Sequence, residues 1–213
     1  MIRFYKFEQR SDKWYAYRKG RWTGSTAIHL LSGKNAPPEG DKDYDNKYMQ
    51  RGRILEPLAI EAYEIKHGVK VAQYGFVTNT KWLHAGYSPD GVDPSGPILL
   101  EVKCLGLEKH DAIVDGTLPI PTEYIAQIQV GLLITELSKA RLILYNPDSD
   151  TPMHVMDLKP DRDIHGFMVA QLERTKPATR PSLTRAQRKY VQQNPIKMRE
   201  KRHERYMRSK AGV

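Results

Sequence analysis

The chain is predicted to be an α/β protein, a central mixed β-sheet flanked by helices with a basic helical tail. Two kinds of segment predict this. Short apolar runs such as ILLEV at 98–102 have strand length and are bounded by turn residues. Between them lie longer stretches with apolar residues near helical spacing, as at 47–67 and 123–137. A length of 213 residues suits one such domain with an ample core.

Taken in order, Ser11 is a helix N-cap, Asp12 lies in the first turn and Gly20 is the terminator. The helix between them, DKWYAYRK, places Trp14 and Arg18 one turn apart on one face. Thr23, Gly24 and Ser25 open a second helix ending at Gly33. A helix start rich in hydroxyls and glycine can hold a phosphate through free backbone N–H groups. The same spacing also fits two ordinary capped helices with Arg18 solvated. Residues 34–46 form a polar loop. The helix expected over 47–67 carries Ile54, Leu58, Ala59, Ala62 and Ile65 near helical spacing, with a kink or restart at Pro57. Strands over 71–78 and 82–87 lead to a turn at Pro89, Asp90 and Gly91. After the strand that holds Glu101 come a short helix or lid-like segment at 106–116 and a strong helix opened by Pro121 and Thr122. Ile125, Ile128, Leu132 and Leu133 are the apolar face of that helix. Tyr124 and Gln127 are surface neighbours on it, and Gln129 lies on another flank. Strands at 140–145 and 153–158, an amphipathic helix at 161–175 and two tail helices, 182–193 and 195–210, complete the chain. The domain division is thus 1–175 and a basic extension, 176–213.

The charge is unevenly placed. The chain has 34 Lys plus Arg against 25 Asp plus Glu, a net of +9. Residues 174–210 hold 13 of the basic and 2 of the acidic residues, a net of +11, which leaves the rest at −2. A polyanionic partner is implied for the tail rather than for the domain. The single cysteine, Cys104, excludes an internal disulfide framework, a zinc knuckle and an iron–sulfur cluster. The absence of a signal-peptide core and of an apolar run near 20 residues makes a cytoplasmic protein with no membrane partner the expectation.

The chemistry concentrates at 87–104, YSPDGVDPSGPILLEVKC. On a strand, Glu101 and Lys103 share one face and Val102 points the other way. Alone they fit an ion pair on a solvated edge. With Asp90 in the preceding turn they make a hard-oxygen site suited to Mg²⁺, with Mn²⁺ as a substitute, to which the Val102 carbonyl can add a ligand. Lys103 would then stand where it can orient an attacking water or offset charge on a phosphate. Glu56 is either a surface helix glutamate or a third acid for the metal. Pro-Asp, a spacer and Glu-x-Lys resembles the core motif of the PD-(D/E)xK nuclease superfamily.

Five pieces in order resemble the phage lambda exonuclease and YqaJ-type viral recombinase family. They are Trp14, Arg18, Gly20, Thr23 and Ser25; then Gly52 and Glu56 with Ala59 or Ala62 and Tyr63; then Ser88 to Gly91; then Leu100 to Cys104; then Tyr124, Gln127 and Gln129, followed by Tyr145-Asn-Pro147. They span roughly residues 8–150. Pro57 departs from the usual helix and bears on Glu56. The resemblance implies a 5′→3′ exonuclease that degrades one strand of double-stranded DNA from its ends with Mg²⁺. It also implies a ring-shaped homotrimer working with a single-strand annealing protein in phage recombination, in the bacterial host cytoplasm. Asp90, Glu101 and Val102 are then metal ligands, with Glu56 for a second site. Lys103 and Gln127 act on the water, and Arg18, Thr23 and Ser25, with Tyr124 and Gln129, receive the DNA and its 5′-phosphate. Two other classes fit the motifs: an endonuclease of another branch, separated by cleavage of covalently closed circles, and a non-catalytic DNA-binding protein, separated by a Mg²⁺-dependent nuclease assay.

Overall fold

The structure is a computed structural model that describes residues 1–37 and 47–176. It begins with a strand absent from the sequence reading, β1 (Ile2–Tyr5). This is a half-exposed edge of four residues with no clear alternation, and it exists because β2 pairs with it. Helix α1 (Asp12–Arg18) starts as expected, the Ser11 hydroxyl accepting the Trp14 N–H at 3.3 Å. The chain leaves it through Gly20 at φ +68°, a conformation open to glycine. A 3₁₀ turn (Gly24–Thr26) precedes the short α2 (Ala27–Leu31).

Helix α3 (Lys47–His67) runs through Pro57 without the expected restart. A proline removes one N–H donor, and the residues on both sides of it, Leu55, Ala59, Ile60 and Tyr63, are buried and hold the two halves in one helix. The buried face also differs from the expectation. Ile54 and Ile65 are 70% and 77% exposed and Leu58 is 45% exposed, so only Ala59 is common to the two sets. The helix carries apolar residues on two faces, and periodicity alone could not choose between them.

Strand β2 (Phe76–Asn79) is shorter than the run expected over 71–78; before it the chain makes a single bridge, Ala72 to Val92. Strand β3 (Trp82–Tyr87) follows, and the turn after it continues directly into a short strand, β4 (Gly91–Asp93). The rest runs β5 (Ile98–Cys104), α4 (Leu107–Val114), α5 (Thr122–Thr135), β6 (Ala140–Tyr145), β7 (Met153–Leu158) and α6 (Arg162–Arg174). The expected tail helices lie outside the described residues.

The strands form two sheets where one was expected. The first is antiparallel, β1-β2-β3; the second is mixed, β4-β5-β6-β7, with β5 and β6 parallel. Helix α5 packs against strands of both sheets. On β5, Ile98, Leu100 and Val102 join Ala59, Ile60 and Tyr63 in a core beneath α3, while Leu99 belongs to the core beneath α5. Alternation therefore carries Glu101 and Lys103 to the α5 side. A polar clamp fixes α3 to the mixed sheet. The Tyr63 hydroxyl donates to Asp93 Oδ2 at 2.6 Å, and Arg141 reaches the Tyr63 hydroxyl, Asp93 at 3.4 Å and Asp157 at 3.0 Å. Among the described residues no helix is long and apolar enough to cross a membrane.

Candidate active site

Glu101 is the centre of the cluster and is only 1% exposed, so the solvated-edge reading does not hold. Each of its oxygens has donors. Lys103 Nζ lies 2.6 Å from Oε1, which also accepts from the Gln127 amide, and the Tyr87 hydroxyl donates to Oε2. Lys103 Nζ also donates to Gln127 Oε1 at 3.1 Å, closing a triangle between β5 and α5. Burial pulls the Lys103 ammonium down, but the carboxylates of Glu101 and Asp90 outweigh it and raise the group above its usual range. It is an ammonium at neutral pH and can donate and position, not accept a proton.

Asp90 is held by the backbone beside it. Its Oδ2 accepts the Val102 N–H at 2.7 Å, just past the point where β4 stops pairing with β5. Within a strand a residue's N–H and C=O point to the same side, so the Val102 carbonyl faces Asp90 as well. Burial, then the charges of Glu101 and Glu56, push the Asp90 carboxyl well above the usual range. Glu56 is also raised, by burial and by Glu101, against the pull of Arg10, whose guanidinium is 3.7 Å away. A cleft of about 390 Å³ on the α3 side is lined by Glu56, Ile60, Val71 and Asp90 among others. Despite Pro57, Glu56 thus shares a cleft with Asp90, its side chain 30% exposed.

Among the described residues no three His, Cys, Asp or Glu side chains converge as a ready-made metal cage. The donor set still fits Mg²⁺, which takes one or two carboxylates and keeps several waters. Asp90 and Glu56, each raised by burial and by the charge of Glu101, offer hard oxygens whose mutual repulsion a small divalent cation relieves.

The Arg18 group adjoins this cluster. The Trp14 indole N–H donates to Ser88 Oγ at 2.8 Å, two residues from Asp90, and Gln9 donates to the Pro89 carbonyl at 2.8 Å. Arg18 lies 4.2 Å from the Trp14 ring centroid and donates to Ser25 Oγ at 2.7 Å. Burial lowers its pKa to about 10, which leaves it charged at neutral pH. Ser25 is exposed, while Thr23 is 2% exposed and stands behind it, the two hydroxyls 3.2 Å apart. Tyr124 is half-buried, with Lys103 and Lys109 over its ring at 5.2 and 5.4 Å.

Gln129 is not brought to the site. It is 2% exposed, and its amide is taken up by the backbone entering α6, donating to the Lys159 carbonyl and accepting from the Asp161 N–H, each at 2.9 Å. Two residues at the site were missed. Lys109 on α4 left no signal beyond one lysine in a polar helix. Tyr87 stood next to the Asp90 turn, but nothing in the sequence paired it with Glu101, 14 residues on.

A YqaJ-like viral recombinase domain model matches residues 13–138. Curated proteins give no match. Among solved structures, an alkaline exonuclease from Laribacter hongkongensis, LHK-Exo, superposes with a TM-score of 0.63 at 23% identity, over 88% of this chain and 100% of that one. LHK-Exo in complex with dAMP gives a TM-score of 0.66 at 22% identity over the same shares. A phage-related exonuclease from Haemophilus somnus 129PT gives 0.50 at 14%, over 73% and 92%. These likenesses establish a shared nuclease fold. The motifs of α1, the Asp90 turn, β5 and α5 all lie within the matched residues, and the chain belongs to the YqaJ-like viral recombinase domain family.

Proposed function

We propose that the protein is a Mg²⁺-dependent 5′→3′ exonuclease that degrades one strand of linear double-stranded DNA for recombination by single-strand annealing. The observation that carries this reading is the buried Glu101–Lys103–Gln127 triangle beside Asp90, which is bonded to the same strand at Val102 and shares a cleft with Glu56, next to the Arg18–Ser25 pair. Asp90, Glu101 and the Val102 carbonyl hold the catalytic metal, with Glu56 at a second position. When bound, Mg²⁺ supplies an acidified water and positive charge for the phosphate oxygens. Lys103, kept cationic by its carboxylate neighbours, orients the water and meets negative charge developing on the phosphate. Gln127 fixes Lys103 and Glu101 relative to each other and presents its amide to the same space. Arg18 and Ser25 receive the 5′-terminal phosphate, which a guanidinium can bind with two parallel hydrogen bonds. Tyr124, with Lys109, borders the path of the DNA. A homotrimeric ring and a single-strand annealing partner complete the reading, both from the family resemblance.

Digestion of end-labelled linear duplex, with and without Mg²⁺, tests the reading. Mg²⁺-dependent release of nucleotides from the 5′ end is expected, with covalently closed circles left intact. Glu101→Ala and Asp90→Ala should each abolish cleavage and leave DNA binding largely intact. Near wild-type activity in either variant removes the metal assignment, and cleavage of closed circles would mark an endonuclease.

A further inference from the structure

We propose that Tyr87 is a positioning residue that aims the Glu101 carboxylate at the metal, a role that rests on the function proposed above. Glu101 has three side-chain torsions and a site that needs one oxygen in one place. Lys103 and Gln127 hold Oε1, but both are long, only partly buried side chains. Among the described residues the Tyr87 hydroxyl alone holds Oε2, and it does so from inside the core. Its side chain is fully buried at the end of β3 and has no room to swing.

Two glycines make that place for the ring. A Cβ on Gly24 would come within 2.8 Å of Tyr87 Cε2 and 2.9 Å of Gln127 Cγ. A Cβ on Gly131, in the middle of α5, would come within 2.7 Å of Tyr87 Cζ and 2.6 Å of Leu99 Cδ2. A helix interior disfavours glycine relative to alanine. The close approach of Tyr87 is the packing reason for one here. The ring is thus wedged between the 3₁₀ turn beside Arg18 and the helix that carries Gln127, with its hydroxyl on the central carboxylate. An outer-sphere partner fixed this rigidly orients a ligand and tunes its strength, and losing such a partner typically weakens metal affinity 10- to 100-fold.

The test uses the full-length protein and Mn²⁺ alone as the probe, with binding measured by calorimetry on the DNA-free protein. Tyr87→Phe keeps the ring and removes only the donor. It should raise the Mn²⁺ Kd by roughly tenfold or more, and it should raise the Mg²⁺ concentration for half-maximal cleavage in parallel. The KM for DNA should stay put, and high Mg²⁺ should restore kcat. Gly24→Ala, which presses on both Tyr87 and Gln127, should move Mn²⁺ affinity in the same direction and serves if Tyr87→Phe fails to fold. A residue that merely fills the core would shift the melting temperature and leave metal affinity alone. Wild-type Mn²⁺ affinity in folded Tyr87→Phe overturns the inference. Glu101→Gln separates the two levels: if it loses Mn²⁺ and Tyr87→Phe does not, only the role of Tyr87 fails. If Glu101→Gln also keeps Mn²⁺, the metal reading fails and the inference with it.

Discussion

Arg18 donates to Ser25 and stacks on the Trp14 ring, an arrangement that fixes its guanidinium beside an exposed hydroxyl. Burial already disfavours its charge, so an anionic partner there would be bound without the full competition of water. A duplex with a 5′-phosphate should therefore be degraded faster than one with a 5′-hydroxyl, and Arg18→Ala should shrink that difference. The expected loss is on the order of 1.5–3 kcal/mol, the size of a hydrogen bond to a charged group. Lys at this position should rescue only in part, because a point charge lacks the fork. Equal rates on both ends for wild type and variant would return Arg18 to an ordinary helix arginine. At this scale the sequence was readable wherever a residue type and a short spacing sufficed. Asp90, Glu101 and Lys103 come together because a turn and an alternating strand put them there. Gln129 was carried to the DNA by the resemblance alone; it sits two helix positions from Gln127, on the flank that meets the start of α6. Tyr87 escaped because its partner is set by the packing of two glycines far apart in sequence.

The strands and helices were placed mostly by local pattern, and the exceptions share a cause. β1 and β4 are short edges whose existence depends on the neighbour that pairs with them, and the buried face of α3 depends on which of two apolar stripes meets the sheet. What settles α3 is polar as well as apolar. Tyr63, buried and one turn from Ala59, carries its hydroxyl to Asp93, which is 0% exposed. Burial pushes the Asp93 carboxyl up, but hydrogen bonds from Ser95 and Tyr63 and the Arg141 charge together hold it below its usual range. A group whose folded pKa is depressed contributes stability above its unfolded value and loses it as pH falls through the folded one. Asp93→Asn should thus destabilise the protein by roughly 3 kcal/mol at neutral pH, as for a broken buried ion pair. The gap between variant and wild type should be fully open above about pH 4 and close below it. Urea midpoints measured from pH 7 down to pH 3 check this, and a gap independent of pH would assign the cost to shape rather than to charge. Because Glu56 and Tyr63 lie on the same helix, the variant should also lower nuclease activity.

For the whole molecule the uneven charge is the main fact. The family resemblance sets the expectation of a ring-shaped trimer, and light scattering at micromolar concentration should give three times the 24.5 kDa of one chain; a monomer mass would contradict it. The segment 174–210 holds a net +11 in a chain whose total is +9, so it carries more than the whole positive excess. The domain that bears the cluster is close to neutral and has no such excess to offer the phosphate backbone. Deleting the chain after Pro181 should therefore weaken duplex binding and flatten its salt dependence. Every phosphate that the truncated protein no longer neutralises lowers the slope of log K against log salt by about 0.9 in magnitude. A tail that instead joins subunits, its cations paired with acids on another copy, predicts a different result: the oligomer falls apart while the slope per subunit stays the same. Salt titrations and light scattering on the same truncated protein separate the two, and a truncation that changes neither slope nor mass rejects both.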